Sequence, residues 1–214
     1  MPTPAPKLKV TKRIVIELSF AALTGLLLAA HAFSQPQRPA PFGLHPGMTV
    51  DQIKTAVGER NVSALPNSKG VYLLSAVPEK PDFFDNFFAA VSSKRGLAKL
   101  GAGFSFNSNP SGQQVRENFQ KVENLVIAKY GKPTDHRDNV HAGALYTGRD
   151  EFMTALLQGA RELRSFWKLD DGTLLLLEAK AHDSTTALIS LTYEFHPEFD
   201  AFNEENGKKN ENAQ

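Results

Sequence analysis

PSGQQVRENFQKVENLVIAKYGKP, Pro110 to Pro133, is the stretch whose reading decides the fold. Val115, Phe119, Val122 and Val126 recur at helical spacing with Leu125 beside them. Arg116, Glu117, Gln120, Lys121 and Asn124 take the opposite side. That is one apolar stripe on an otherwise solvated helix. Ser111 and Gln114 have the S-x-x-Q spacing of a capping box, in which each side chain satisfies a backbone donor of the first turn. Gly131 can close the last turn and Pro133 forbids continuation. A helix of about 19 residues is roughly 28 Å long and cannot bury its stripe alone. Segments with strand periodicity on both sides are its expected cover.

Downstream, TDHRDNVHAG after Pro133 reads as polar and irregular, and a short helix is expected over roughly 149–158, with Phe152, Met153 and Leu156 inward. The clearest strand signal follows. Leu163, Ser165, Trp167 and Leu169 share one face, and Asp170-Asp171-Gly172 turns the chain back. Leu175, Leu177, Ala179 and Ala181 then alternate with Glu178 and Lys180. Ala187, Ile189, Leu191, Tyr193 and Phe195 alternate with Ser190, Thr192 and Glu194. This predicts an antiparallel meander with one wet face. Residues 197–214 are polar and largely acidic, the composition of a disordered tail.

Upstream, Thr49 and Gln52 form a second capping box, and Val50, Ile53 and Val57 make the inward stripe of a short helix ended by Gly58. Strands are expected over 71–77, through Ser92 after PDFFDNFF, and over 97–106. Gly101 and Gly103 inside the last predict a bulge or a close backbone approach. The class expected is α+β, with helices packed on one face of an antiparallel sheet. The chain divides into two related helix-plus-three-strand units, 42–106 and 107–196, the second carrying an insertion at 134–160.

Residues 1–32 have the pattern of a secretory signal: Lys7, Lys9, Lys12 and Arg13, then LSFAALTGLLLAA, then Ala30-His31-Ala32. The apolar run is shorter than the ~20 residues a spanning helix needs, so no stable membrane anchor is expected after cleavage. Residues 33–41 form a proline-rich linker. The formal net charge is +1, and without the basic leader it turns slightly acidic, which removes electrostatic support for nucleic-acid binding. With no cysteine in the chain, thiol nucleophiles and a lipid-bearing cysteine are both excluded. The location expected is periplasmic or secreted.

Phe42-Gly43-Leu44, with Gly47-Met48-Thr49, Val50, Ile53 and Gly58, resembles the opening of a family of small exported α/β modules. These include outer-membrane assembly lipoproteins of the BamE type and β-lactamase-inhibitor-like repeats. The resemblance implies a helix feeding an antiparallel sheet, and a role in binding other proteins and not in catalysis.

Two groups stand out as candidate sites. Phe83, Phe84, Phe87 and Phe88 form an aromatic cluster suited to a binding patch. His136, Asp138 and His141 are residue types that ligate a divalent metal, though without HEXXH spacing. No G-x-S-x-G elbow or phosphate-binding glycine loop is present. The function expected is a non-enzymatic binding module of the bacterial cell envelope without a cofactor. Its partner would be an envelope protein or an apolar ligand. The alternative is an envelope enzyme or metal-binding protein with a site assembled around His136, Asp138 and His141.

Overall fold

The computed structural model describes residues 38–207. The expected signal, the first part of the linker (33–37) and the end of the tail (208–214) lie outside the described residues. A short 3-10 turn at Pro41–Gly43 precedes helix α1 (Val50–Val57) and strands β1 (Val62–Ala64), β2 (Val71–Leu74), β3 (Asn86–Ser92) and β4 (Gly96–Asn107). Helix α2 (Gln113–Tyr130), β5 (Asp135–Val140), α3 (Phe152–Leu157), β6 (Arg161–Lys168), β7 (Leu174–Ala181), β8 (Thr186–Glu194) and α4 (Glu198–Glu205) follow. The class is α+β, as expected.

All eight strands form one antiparallel sheet in the order β1-β2-β3-β4-β8-β7-β6-β5. Each half is a helix followed by a four-stranded meander, and the meanders meet at their last strands. Nine paired positions, from Lys99–Glu194 to Asn107–Thr186, make that seam. The three strands expected per unit are therefore four. The two that the sequence reading passed over, β1 and β5, are the sheet edges. One flank of an edge strand faces water, so it tolerates charge and needs no apolar alternation; DHRDNV of β5 has neither constraint. Residues 134–160 are accordingly no simple insertion, because they begin with a paired strand.

The first helix starts as its capping box predicts. The Thr49 N–H donates to Gln52 Oε1 at 2.8 Å, and the Gln52 N–H donates to Thr49 Oγ1 at 3.3 Å. Gly96, at φ +78, begins β4 against this entrance, and a Cβ there would lie 2.0 Å from the Gly47 carbonyl oxygen. The close approach lets Gly47 N–H donate to Leu97 O at 3.0 Å and Leu97 N–H to Met48 O at 2.8 Å.

The cap of α2 sits upstream of the expected Ser111. Asn109 Oδ1 accepts from Gln113 N–H at 3.1 Å, and Gln114 Oε1 accepts from Asn109 N–H at 3.1 Å. Val115, Phe119, Val122 and Val126 are buried as read, but Leu125 is 51% exposed and Glu123 only 4%. At the far end the Trp167 indole N–H donates to Gly131 O at 2.9 Å, tying the helix end to β6.

The main core lies on the side of the sheet covered by α1, α2 and α3, where Phe87, Ala89, Leu100, Ala102, Leu177, Ile189 and Leu191 meet Ile53, Phe119 and Met153. A bulge breaks the β3–β4 register: Ala90 pairs with Lys99 but Val91 with Leu97, leaving Ala98 unpaired between them. The extra residue turns Leu97 into the main core and sets Ala98 beside Ala90 on the opposite face. There α4 docks through Phe202, with Phe199 and Val71 half-buried around it.

Helices thus lie on both faces, correcting the one-face expectation, and the expected disordered tail begins with a helix. Phe199 and Phe202, three positions apart, give this acidic segment an apolar edge, which overall composition conceals. Both ends of α4 are fastened. Arg38 donates to both Glu198 carboxylate oxygens at 2.8 Å and to His196 O at 2.9 Å. Glu205 accepts from Ser92 Oγ at 2.7 Å and from Ser93 N–H at 2.9 Å. Linker residues 38–41 are held as well, since Pro41 is buried.

Two measurements check this packing. In urea denaturation Phe119→Ala should cost about 3–5 kcal/mol, whereas Glu117→Ala on the wet side should stay within about 0.5 kcal/mol. The second concerns Glu205, whose pKa falls from 4.5 to about 2, first through the Ser92 hydroxyl and then through the Ser93 and Lys94 amides. A depressed carboxylate stabilises the fold above its unfolded pKa, and that stabilisation is lost as pH falls through the folded value. Melting curves of wild type and Glu205→Gln should therefore differ at pH 6 and converge between about pH 4.5 and 2.

Candidate functional site

Helix α2 packs on β7 and β8, and a cleft of about 380 Å³ opens along its flank. One wall is Val122, Leu125, Val126, Lys129 and Tyr130 of the helix. The other is Phe42 with Glu79 and the Pro81–Phe84 loop, and Leu191 and Tyr193 of β8 complete the lining. Helical spacing puts the five α2 residues on one flank, and strand alternation aims Leu191 and Tyr193 up from the sheet.

Phe42 organises the aromatic wall. Its ring stands nearly perpendicular to Phe84, Phe87 and Tyr193, at centroid distances of 5.8, 5.3 and 6.0 Å. Its backbone is left-handed, at φ 57° and ψ 21°. For a residue this bulky that conformation costs on the order of 1–3 kcal/mol and persists only where surroundings enforce it. The three ring contacts and the Glu79 N–H, which donates to Phe42 O at 3.1 Å, supply the enforcement.

Two phenols lie side by side in the lining. Burial, and then the neighbouring Tyr130, push the Tyr193 phenol well above its ordinary pKa, so it stays neutral. Tyr130 Oη is buried, and the polar group beside it is the Tyr193 phenol. Charged groups stand at the lips, with Glu79, Asp82 and Lys129 all exposed.

The expected phenylalanine patch divides between three environments. Phe84 and Phe87 are 2% and 3% exposed and belong to the core. Phe83 is half-buried, 4.5 Å from Phe84 between ring centroids, and lines the cleft. Phe88 points to the other face and lies over Gly101, where a Cβ would meet its ring at 2.0 Å. Strand alternation separates Phe87 from Phe88, so the four rings do not make one binding patch.

His136, Asp138 and His141 are likewise drawn apart. On β5, His136 pairs with Ser165 and Asp138 with Leu163, both on the helix side. Asp138 accepts from Arg161 and lies 4.0 Å from Arg116. The two guanidinium groups sit 4.0 Å (Arg116) and 4.6 Å (Arg161) from the Phe152 ring centroid. Burial and then the adjacent Arg161 lower the Arg116 pKa. His141 Nε2 instead lies 3.6 Å from Glu162 Oε1. Among the described residues no group of three or more His, Asp or Glu side chains is placed to hold a metal.

His136 does join an unexpected cluster. Its Nδ1 lies 2.9 Å from Glu123 Oε1 and 2.8 Å from Ser165 Oγ, and the Ser165 hydroxyl donates to the same carboxylate. The chemistry is that of a satisfied buried acid. Ser165 is fully buried and its proton is committed to Glu123, so no substrate carbonyl can reach the hydroxyl. A buried carboxylate needs such donors, which is why Glu123 turns in while Leu125 turns out.

Compared with protein-family models, with curated proteins and with solved structures, the chain matches none. Among the described residues no helix is long and apolar enough to cross a membrane.

The sequence reading missed Phe42, Tyr130 and Tyr193 as neighbours, because they come from the 3-10 turn, the end of α2 and β8. The signal that was legible is Leu125, three positions after Val122 at the border of the apolar stripe. If Phe84 is core and Phe83 is lining, Phe84→Ser should lower stability by about 3–5 kcal/mol. Phe83→Ser should cost about 1 kcal/mol. Equal losses in urea denaturation would contradict this division.

Proposed function

We propose that this chain is an exported, non-enzymatic binding module of a bacterial cell envelope, and that its ligand or partner engages the cleft beside α2. The observation that carries the reading is the cleft itself. Its volume of about 380 Å³ falls in the ~300–1,000 Å³ range of small-molecule sites, which are mostly apolar with a few placed polar groups. Leu125, 51% exposed, offers its side chain to water at the mouth, where a bound molecule would cover it. The left-handed backbone of Phe42 supports the same reading, since strain of this kind gathers at ligand clamps and switch regions. Export is supported by the basic, apolar and A-x-A pattern of residues 1–32. The resemblance of the Phe42–Gly58 stretch to exported binding modules points the same way.

The test uses protein recovered from the envelope fraction of producing cells. Its native N-terminus should read Phe33 or Gln35 by mass spectrometry. Native mass spectrometry of the same preparation should show a co-purifying molecule that Leu125→Asp releases. Because Leu125 is exposed, that substitution should leave stability within about 0.5 kcal/mol. Equal retention by wild type and variant would remove the cleft from consideration.

A further inference from the structure

The two lips of the cleft carry opposite charge. On the helix lip, Lys121 and Lys129 stand four positions either side of Leu125, along one edge of α2. The Lys129 ammonium lies 5.3 Å from the Tyr130 ring centroid, and the Lys121 ammonium 5.9 Å from that of Phe83. On the facing loop stand Glu79 and Asp82, and Lys80 between them is not part of the lining. Among the described residues none of these four groups has an ion-pair partner, so cations and carboxylates border one cleft without meeting. Between the lips the lining is apolar, with Phe42, Phe83, Val126 and Leu191 around the adjacent Tyr130 and Tyr193 phenols.

From this arrangement, and resting on the binding reading above, we infer that the cleft's ligand is a small zwitterion with an apolar body, an apolar amino acid or dipeptide. Its ammonium faces Glu79 and Asp82, its carboxylate faces Lys121 and Lys129, and its apolar side chains lie among the rings. An ammonium has three donors, so a lysine resting on a ring keeps donors for a ligand carboxylate. A purely anionic ligand would be repelled by the loop lip and a purely cationic one by the helix lip. A neutral ligand of the same shape leaves all four groups unmatched, whereas a molecule with both poles is complementary to both lips. The volume of about 380 Å³, at the lower end of small-ligand sites, suits a body of one or two residues.

Calorimetric titration at pH 7 of the full chain, recovered from cells and dialysed, tests this with leucyl-phenylalanine, its N-acetyl form, its C-terminal amide and free phenylalanine. The acetyl form lacks the ammonium and the amide lacks the carboxylate. Wild type should bind the unmodified dipeptide about fivefold more tightly than either derivative, the upper range for a charge contact at a water-exposed lip. Lys121→Gln with Lys129→Gln should abolish the preference over the amide and keep the preference over the acetyl form. Glu79→Gln with Asp82→Asn should do the reverse. All four side chains are exposed, so both double variants should melt as wild type does. Whichever of leucyl-phenylalanine and free phenylalanine binds more tightly identifies the source of the zwitterion. Equal binding of the dipeptide and its derivatives by wild type, or loss of both preferences in either variant, overturns the zwitterion inference. If Leu125→Asp still weakens every probe, the cleft remains the site. Absence of binding by any probe also overturns the zwitterion, and the cleft then stands or falls on whether Leu125→Asp releases the co-purifying molecule. Binding indifferent to Leu125→Asp overturns the cleft reading as well.

Discussion

The antiparallel ladder between β4 and β8 is the constraint on which the rest of the structure depends. Without it the chain would hold two four-stranded meanders, each exposing one more edge of unpaired backbone groups. With it, the nine pairs from Lys99–Glu194 to Asn107–Thr186 make one continuous sheet whose remaining edges, β1 and β5, are short or charged. The ladder also brings Leu191 and Tyr193 of the second half beneath Phe42 and Phe84 of the first. The cleft therefore exists only because the halves share a sheet. Gly101 is the third β4 residue of this seam, and the missing side chain makes room for the Phe88 ring on the far face.

The two faces are covered by different means. On one, three helices bring apolar stripes to a large core, and the strained turn at Phe42 fills the space beside α2. On the other, the bulge at Ala98 sets two alanines side by side, and small side chains there let α4 lie close. That helix is short, and few helices of eight residues persist without tertiary support. The Arg38–Glu198 pair and the Glu205 carboxylate in the β3–β4 turn supply it at both ends. Charges in the acidic C-terminal stretch thus serve as fasteners.

Polar groups buried on the helix side meet partners that are distant in the chain. Glu123 is buried and meets Ser165 and His136, partners on β6 and β5 that draw its carboxylate inward. Tyr130 and Tyr193, from the end of α2 and from β8, likewise set their phenols beside one another.

By itself the sequence determined whatever depends on neighbours along the chain. Thr49 and Gln52 cap α1 as their spacing requires, and the period of Val115, Phe119, Val122 and Val126 fixes α2. The alternation from Leu163 to Phe195 fixes three strands and the face they bury. Those signals are local because capping, helical spacing and pleat alternation are satisfied within a few residues. The tertiary structure alone decided matters of partnership. It made edge strands of Val62–Ala64 and Asp135–Val140, a docked helix of the expected tail, and an inward residue of Glu123 in place of Leu125. It split the phenylalanine cluster and the His136, Asp138 and His141 group between different environments, and it gathered Phe42, Tyr130 and Tyr193 into one cleft. Each outcome turns on groups far apart in the chain, whose hydrogen bonds and buried surface appear only once β4 and β8 have paired.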